Sequence, residues 1–291
     1  MVLMVYDKNM NKTIFKIPLV IVLCVGSVLA VFWTGLLIYG SWHDEWSGYN
    51  ASQYVSDRYC NIAVVPVVGE ITTFATATED ENGLIPLVTS MSDTLTLLDE
   101  AEYDPNIRGI LMLIDSPGGS PTASMLVANE LKNSSMPVAS YILDVGVSGG
   151  YLIATGADTI IASPFADVGS IGVTMSYLDN TEQNANDGLK YVSLSTGKFK
   201  DSGDPNKPLT AEERALFERD LQISHDEFVK EVSENRNIPI EDVAKLADGS
   251  SMAGSLALEN KLIDALGDKE TARAWFANEL GLQPEEVVFC N

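Results

Sequence analysis

From residue 62 onward, short apolar runs alternate with segments of helical spacing, and this alternation constrains the fold more than any other feature. Ile62–Val68 is a β-branched run that predicts a buried strand, whereas apolar residues recur at helical spacing over 87–101. The pattern continues with predicted strands at 109–114, 138–143 and 159–162 and predicted helices at 123–131 and 149–156. Repeated βαβ units predict an α/β domain with a mainly parallel sheet.

The second half of the chain is less regular. Segment 180–208 is polar and rich in Gly, Asp and Asn, which predicts an excursion of loops with one short strand candidate at Tyr191–Ser195. A capping box that starts at Thr210 predicts the beginning of a long helix. Two further helices, near 241–246 and 255–262, are predicted to complete the core.

A single membrane anchor is predicted before this domain. Ile17–Gly40 holds 24 consecutive residues without a charge, enough for a helix that crosses the hydrocarbon core of a bilayer. Three lysines and one acid precede the run, so the amino terminus is expected in the cytoplasm. A cleaved signal peptide is the competing interpretation, but the run exceeds the usual hydrophobic region of about 7 to 15 residues.

The expected organisation is a single-pass protein of the cell membrane with an extracytoplasmic globular domain. Residues 1–16 are predicted to be cytoplasmic, 17–40 to span the membrane, 41–58 to form an interfacial stalk and 59–291 to form the domain. Beyond residue 16 the chain carries 15 basic and 40 acidic residues, a net charge of −25. This charge argues against nucleic acids and anionic membrane surfaces as partners.

The three cysteines predict no metal or redox motif. Cys24 lies inside the apolar run, while Cys60 and Cys290 lie at the two ends of the domain, a spacing that excludes a zinc knuckle and a C-x-x-C pair. No other cluster has ligand spacing, so neither a metal nor an organic cofactor is predicted. A disulfide between Cys60 and Cys290 and two unpaired structural thiols are both open alternatives.

Two glycine-rich segments follow predicted strands and are candidates for chemistry. Asp115–Gly119 directly follows an apolar strand, and Val147–Tyr151 places Ser148 between a strand and a helix. Free N–H groups at a helix N-terminus stabilise a developing oxyanion, so the N–H groups of Gly119 and Gly149 are candidate donors beside Ser148. An ordinary turn at the first segment and a helix-capping role for Ser148 are the alternatives.

A serine nucleophile needs a neighbouring base, and histidine is the usual one. His43 lies in the predicted stalk, and His225 lies on the apolar stripe of the long helix, where a hydrogen-bonded core histidine is expected. A Ser-His-Asp triad is therefore not predicted. Lysine can act instead if its surroundings lower its pKa, and Lys198 and Lys200 are the candidates. Their spacing does not separate them, because both would point the same way on a strand.

Four motifs together resemble the signal peptide peptidase A (SppA) family of serine proteases. They are, in order, Asp115–Gly119 (Asp-Ser-Pro-Gly-Gly), Ser148–Tyr151 (Ser-Gly-Gly-Tyr), Gly169–Val173 (Gly-Ser-Ile-Gly-Val) and Gly197–Lys200 (Gly-Lys-Phe-Lys). The similarity covers roughly residues 59 to 268. It implies a crotonase-like (ClpP-like) fold and, as substrates, apolar signal-peptide remnants left in the membrane.

The resemblance also implies a role for each matching residue. Ser148 would attack the substrate, Lys200 would be the general base, Gly119 and Gly149 would form the oxyanion hole, and Ser170 would orient the lysine amine. In that family the serine and the lysine meet across neighbouring domain units. A ring-like homo-oligomer is therefore implied.

Three other functions compete with this one. A membrane protease of the NfeD-linked, stomatin-cleaving type shares the Ser-Lys chemistry, but the extended motif around Lys200 argues against it. A crotonase-like acyl-CoA enzyme would need a negatively charged cytosolic substrate, which suits neither the predicted topology nor the net charge of −25 beyond residue 16. A catalytically inactive scaffold that binds apolar peptides is the third, and the presence of both Ser148 and Lys200 argues against it.

Overall fold

The computed structural model describes residues 60–75 and 87–290, and within them an eight-stranded sheet with helices on both faces forms the core. The strands are β1 (Ile62–Thr72), β2 (Val88–Ser90), β3 (Gly109–Gly119), β4 (Val138–Val147), β5 (Thr159–Ala162), β6 (Asp167–Gly169), β7 (Ser251–Ala253) and β8 (Ala265–Leu266). The helices are α1 (Met91–Tyr103), α2 (Pro121–Asn133), α3 (Gly149–Thr155), α4 (Thr181–Asn186), α5 (Ala211–Arg236), α6 (Ile240–Leu246), α7 (Gly254–Glu259) and α8 (Lys269–Leu280).

The sheet is parallel except at one short pairing. Its main path runs in the order β2-β1-β3-β4-β5-β8, and every pairing along this path is parallel. Strand β6 pairs with the end of β4 in parallel, and β7 pairs with β6 in antiparallel orientation. The predicted α/β domain with a mainly parallel sheet is confirmed, and the candidate glycine and serine motifs lie at the carboxyl ends of β3 and β4.

Alternation along the strands divides the core between the two faces of the sheet. In β1, Ala63, Val65 and Val67 face a large cluster that includes apolar residues of α1, α2, α3 and α5. Ile62 faces the opposite side, where Phe276 of α8 belongs to a smaller cluster. A strand covered on both faces is apolar throughout, which explains why β1 is a continuous apolar run rather than an alternating one.

Two local predictions were wrong, and one core helix was not predicted. The helix predicted from residue 87 begins at Met91, because residues 88–90 pair with β1 and the Ser90 side chain accepts a hydrogen bond from Asp93 N–H as the N-cap. No strand forms at Tyr191–Ser195, whereas a short helix, α4, lies earlier in the same excursion. Helix α8 was missed altogether.

The cysteine alternatives are resolved by a disulfide. Cys60 and Cys290 are bonded, with their Cα atoms 5.1 Å apart. The last segment of the chain runs beside the start of β1, where Cys290 N–H donates to the Ile62 carbonyl over 2.8 Å. The disulfide therefore ties the carboxyl-terminal segment to the first strand of the sheet.

Between residues 60 and 290, outside the undescribed stretch 76–86, no helix is both long and apolar enough to cross a membrane. The predicted anchor at 17–40 and the predicted stalk at 41–58 lie outside the described residues.

Candidate active site

Ser148 stands between β4 and α3 in a strained conformation. Its φ of 52° lies in the left-handed region that non-glycine residues rarely adopt. Its backbone N–H donates to the Gly169 carbonyl over 2.7 Å, which fixes the turn against β6. Ser148 occupies the N-cap position of α3, yet its side chain makes no capping hydrogen bond. The capping alternative is therefore wrong, and the hydroxyl is left for another role.

The Asp-Ser-Pro-Gly-Gly segment lies directly against Ser148. Instead of forming a turn, it continues β3 to Gly119. Gly118 has a φ of 96°, and a Cβ built on it would lie 2.7 Å from Gly149 N and 2.8 Å from Ser148 Cβ. A Cβ on Gly149 would lie 3.3 Å from Gly119 N. The backbone nitrogens of Gly119 and Gly149 are thus brought together beside the serine, at the N-terminus of α3.

Two buried serines hold this arrangement, and the sequence reasoning did not single them out. The Ser116 hydroxyl donates to the Gly69 carbonyl over 2.6 Å and accepts from Gly118 N–H over 3.1 Å. The Ser124 hydroxyl, in α2, donates to the Ser120 carbonyl and lies 2.3 Å from where a Cβ on Gly149 would be. The position of Ser116 inside the glycine-rich segment was the signal that could have identified it. Nothing in the spacing indicates Ser124.

Ser170 lies beside Ser148 because their strands are paired. The register joins Val147 to Gly169, so the two serines follow paired residues at the ends of β4 and β6. Ser170 also has a positive φ, 49°, and its hydroxyl donates to the Gly249 carbonyl over 2.9 Å. The backbone at Gly249 therefore positions the Ser170 side chain. Its predicted contact with a lysine amine stays a prediction.

The two candidate lysines differ in their surroundings. Lys198 Nζ lies 2.7 Å from a Glu212 carboxylate oxygen and 5.1 Å from the centre of the Phe199 ring. Lys200 has an exposed side chain in a turn closed by its own N–H and the Gly197 carbonyl, 3.1 Å apart. No strand forms here, so the expectation that both point the same way on a strand was wrong. Across the described ranges, no hydrogen bond joins Lys200 to Ser148.

The excursion that carries both lysines is anchored at the start of α5. Lys207 Nζ lies 2.5 Å from a carboxylate oxygen of Glu213, which is almost fully buried. The hydrogen bond from Lys207, followed by that from Thr210 N–H, lowers the pKa of Glu213 to about 2. Thr210 and Glu213 also form the predicted capping box. One buried carboxylate therefore fixes both the returning end of the excursion and the first turn of the helix.

A groove of about 200 Å³ opens beside Ser148. It lies between α2 and α5, and α3 contributes Gly149 and Leu152 to its surface. The other lining residues are Gly119, Pro121, Thr122, Met125, Ser148, Gly172, Val173, Ile223, Ser224, Glu227, Phe228 and Glu231. Lys200 does not line it. The groove is large enough for one bulky side chain next to the serine.

Histidine and metal chemistry find no support in the part of the chain that the structure covers. His225 Nε2 lies 2.8 Å from the Ala247 carbonyl oxygen, so the predicted hydrogen bond is present, but the side chain is half-buried rather than in the core and its Nδ1 has no hydrogen-bond partner. His225 is not among the residues that line the groove, and His43 lies outside the described residues. No group of three or more potential metal ligands forms within residues 60–75 and 87–290.

Sequence comparisons identify the family. The model of peptidase family S49 matches residues 130–283, slightly more than half of the chain, and the Clp protease model matches residues 87–168. A solved structure of a ClpP1 variant from Listeria monocytogenes superposes with a TM-score of 0.45 at 13% identity over 70% of this chain and 91% of that chain. That likeness is too low to carry an argument.

Individual relatives agree with the family models. The chain is 33% identical to a candidate protease of Methanocaldococcus jannaschii, over 67% of this chain and 63% of that protein. It is 32% identical to a candidate signal peptide peptidase SppA of Enterococcus faecium, over 67% of this chain and 57% of that protein. It is 30% identical to Protease 4 of Salmonella typhi, over 62% of this chain and 30% of that protein. The chain thus spans less than two thirds of the length of these relatives.

The range that the S49 model matches contains Ser148, Ser170 and Lys200, and the range that the Clp protease model matches contains Gly119, Ser148 and Gly149. A serine next to two backbone nitrogens at a helix N-terminus is an arrangement that suits a nucleophile beside an oxyanion hole. On the family match and on this geometry, the chain belongs to peptidase family S49, a family of serine proteases that includes the SppA proteins.

Proposed function

We propose that this chain is a membrane-anchored serine protease that cuts apolar peptides, among them signal-peptide remnants. The observation that carries the proposal is the conformation of Ser148. Its positive φ, its unused hydroxyl and the adjacent backbone nitrogens of Gly119 and Gly149 form the geometry of a nucleophile beside an oxyanion hole. The apolar surface of the neighbouring groove suits an apolar peptide.

In the proposed reaction the neutral amine of Lys200 removes the proton from Ser148 Oγ as the oxygen attacks the scissile carbonyl. The carbonyl electron pair moves onto the oxygen, which the N–H groups of Gly119 and Gly149 stabilise. The intermediate collapses, and the amine of the carboxyl-terminal substrate fragment leaves with the proton from Lys200. The remaining acyl group stays bound to Ser148 as an acyl-enzyme. Lys200 then takes a proton from water as the water oxygen attacks the ester carbonyl. The bond between this carbon and Ser148 Oγ breaks, the acid product is released, and Lys200 returns the proton to Ser148 Oγ.

Lys200 is proposed to reach Ser148 from a neighbouring copy of the chain. Within one chain, Lys200 has an exposed side chain outside the groove. The excursion that carries it also exposes large apolar side chains, of which Val192 is 66% and Leu194 is 95% exposed. Exposed apolar side chains around an exposed base favour burial against a second subunit. Repeated head-to-tail contacts of this kind close into a ring.

Mixing two inactive variants tests this arrangement. Ser148→Ala and Lys200→Ala are each expected to be inactive, and the subunits are then dissociated, mixed in equal amounts and reassembled. If the lysine acts between subunits, about one quarter of the sites pair an intact serine with an intact lysine, so about one quarter of wild-type activity returns. Co-assembly is checked with two affinity tags. Mixed rings that stay inactive would contradict the proposed arrangement.

The membrane anchor is part of the same proposal. It rests on the uncharged run Ile17–Gly40 and on the lysines before it. The prediction is that the full chain fractionates with membranes and resists extraction at high salt and alkaline pH, whereas a variant beginning at residue 41 does not. Addition of an external protease to spheroplasts is expected to digest the domain. Protection of the domain would contradict the extracytoplasmic location.

A further inference from the structure

We propose that the groove beside Ser148 selects a lysine or arginine side chain of the substrate, with Glu231 and Glu227 as specificity-determining residues. This inference rests on the proposed function and names the side chain that the same site accepts. The groove is mainly apolar, but the wall supplied by α5 presents Ile223, Glu227 and Glu231 at intervals of one turn. An apolar groove with carboxylates on one wall matches a long aliphatic stem that ends in a cation.

The direction of the groove follows from the hydrogen bonds that join its helices. Asn235 of α5 donates to Thr155 Oγ1, in the last turn of α3, over 3.0 Å. Lys132, in the last turn of α2, donates to Asn235 Oδ1 over 2.8 Å. These bonds join the carboxyl-terminal ends of α2 and α3 to α5. The groove therefore runs from Ser148, at the N-terminus of α3, toward this junction.

Glu231 is placed at the depth that a long side chain would reach. Glu231 lies about one helical turn before Asn235 in α5, and Leu152 lies about one turn before Thr155 in α3. Glu231 and Leu152 both line the groove. Leu152 lies four residues beyond Ser148, or about 6 Å along the helix axis. The four-carbon stem of a lysine that enters next to Ser148 would contact Leu152 and bring its ammonium group to the level of Glu231.

The charges of the groove favour a cation. Within the described ranges, the Glu231 side chain makes no hydrogen bond and no ion pair, and only a longer-range attraction links its charge to Lys230. Glu227 pairs with Lys230, 3.1 Å away, and Lys230 does not line the groove. A substrate carboxylate at this position would be repelled by Glu231 and by Glu227, whose charge Lys230 partly offsets, whereas an ammonium or guanidinium group would be attracted by both. An apolar side chain would offer Glu231 no hydrogen bond.

This selectivity specifies the kind of bond that is cut. Signal peptides join a positively charged segment to an apolar one, and a lysine or arginine beside an apolar run occurs at that junction. A groove with an apolar surface and acidic wall accommodates the basic residue, while the rest of the peptide remains apolar. We therefore expect cleavage after a basic residue that borders an apolar run, rather than within the run.

Three fluorogenic peptides test the inference on the full-length protein in detergent micelles. They share one apolar sequence and carry Lys, Leu or Glu immediately before the scissile bond. Wild type is expected to have its highest kcat/KM with Lys and its lowest with Glu. Glu231→Gln is expected to lower kcat/KM for the Lys peptide roughly five- to tenfold and to change the Leu peptide less than about twofold. Glu227→Gln is expected to act in the same direction and more weakly.

Glu234→Gln is the matched control, because Glu234 lies on the same helix, is exposed and does not line the groove. Binding of the Lys peptide to the Ser148→Ala protein, with and without Glu231→Gln, is measured in parallel. A wild-type preference for Leu over Lys, or an equal loss with all three peptides in Glu231→Gln, would overturn the inference. Selective peptide binding without turnover of any substrate would support it and contradict the proposed function instead.

Discussion

Replacement of Gly118 by alanine is expected to abolish turnover while leaving the protein folded. The added Cβ would lie 2.7 Å from Gly149 N, 2.8 Å from Ser148 Cβ and 3.1 Å from Ser148 Oγ. Real Cβ atoms do not approach backbone so closely, so the turn or the serine must move. The displaced atoms are the proposed nucleophile and one of the two proposed oxyanion donors.

The size of the effect follows from two contributions. An alanine at a φ of 96° is strained, which costs about 1–3 kcal/mol, and the close contacts add roughly 1–2 kcal/mol. A displacement of about 1 Å at a reacting centre, or the loss of one oxyanion donor, lowers the rate by roughly 100-fold or more. We therefore expect kcat to fall at least about 100-fold, with KM changed less than about threefold.

The assay compares Gly118→Ala with Gly281→Ala, both by turnover of an apolar fluorogenic peptide and by thermal unfolding. Gly281 also has a positive φ, 64°, but no atom lies within 4 Å of the added Cβ. It ends α8 far along the chain from the site, and its replacement is expected to cost about 1 kcal/mol of stability with kcat unchanged. A folded Gly118→Ala protein with more than a tenth of wild-type kcat would refute the assigned geometry.

Three further predictions concern the lysines, the excursion and the disulfide. Lys200→Ala is expected to lower kcat about 10³-fold. Lys198→Ala removes only an exposed ion pair with Glu212 and is expected to change kcat less than about twofold. Equal losses of kcat in the two variants would contradict the assignment of Lys200 as the base. Because the pKa of Glu213 is lowered to about 2 from an ordinary value near 4.5, its contribution to stability is complete above pH 4.5 and lost as the pH falls toward 2. Thermal melts of wild type and Glu213→Gln should therefore differ at pH 7 and converge near pH 2, and a constant difference would exclude this linkage. The double variant Cys60→Ser/Cys290→Ser removes a disulfide between two residues that are 230 positions apart in the sequence. Denaturant melts should therefore show that the free energy of unfolding falls by roughly 2–5 kcal/mol, and wild type with reductant should match the variant.

Much of the fold could be predicted because its strands are long apolar runs. The predicted strand at Thr159–Ala162 has the same bounds in the structure, and the capping box at Thr210 marks the start of α5 correctly. Helix α8 was missed although its signals were present. Asp268 caps its first turn with Thr271 in a capping box, and Gly281 ends it in the left-handed conformation. The apolar face of α8 packs on the second side of the sheet.

Long-range contacts decide what the sequence could not predict. The strand candidate at Tyr191–Ser195 has suitable residues, but no neighbouring strand pairs with it in the structure. The disulfide depends on the carboxyl-terminal segment running beside β1, which local composition does not determine. The proximity of Gly119, Ser148 and Gly149 follows from adjacent parallel strands, β3 and β4, that end at the same edge of the sheet. The position of Lys200 relative to the serine depends on a second copy in the proposed assembly.

The central claim is that Ser148 is the nucleophile, and covalent labelling tests it most directly. The full-length protein is treated with a peptidyl fluorophosphonate whose sequence is apolar, digested and analysed by mass spectrometry. We expect one adduct, on the peptide that contains Ser148, which is absent in Ser148→Ala and reduced in Lys200→Ala. An adduct on Ser124 or Ser170, or undiminished labelling of the Ser148→Ala protein, would contradict it.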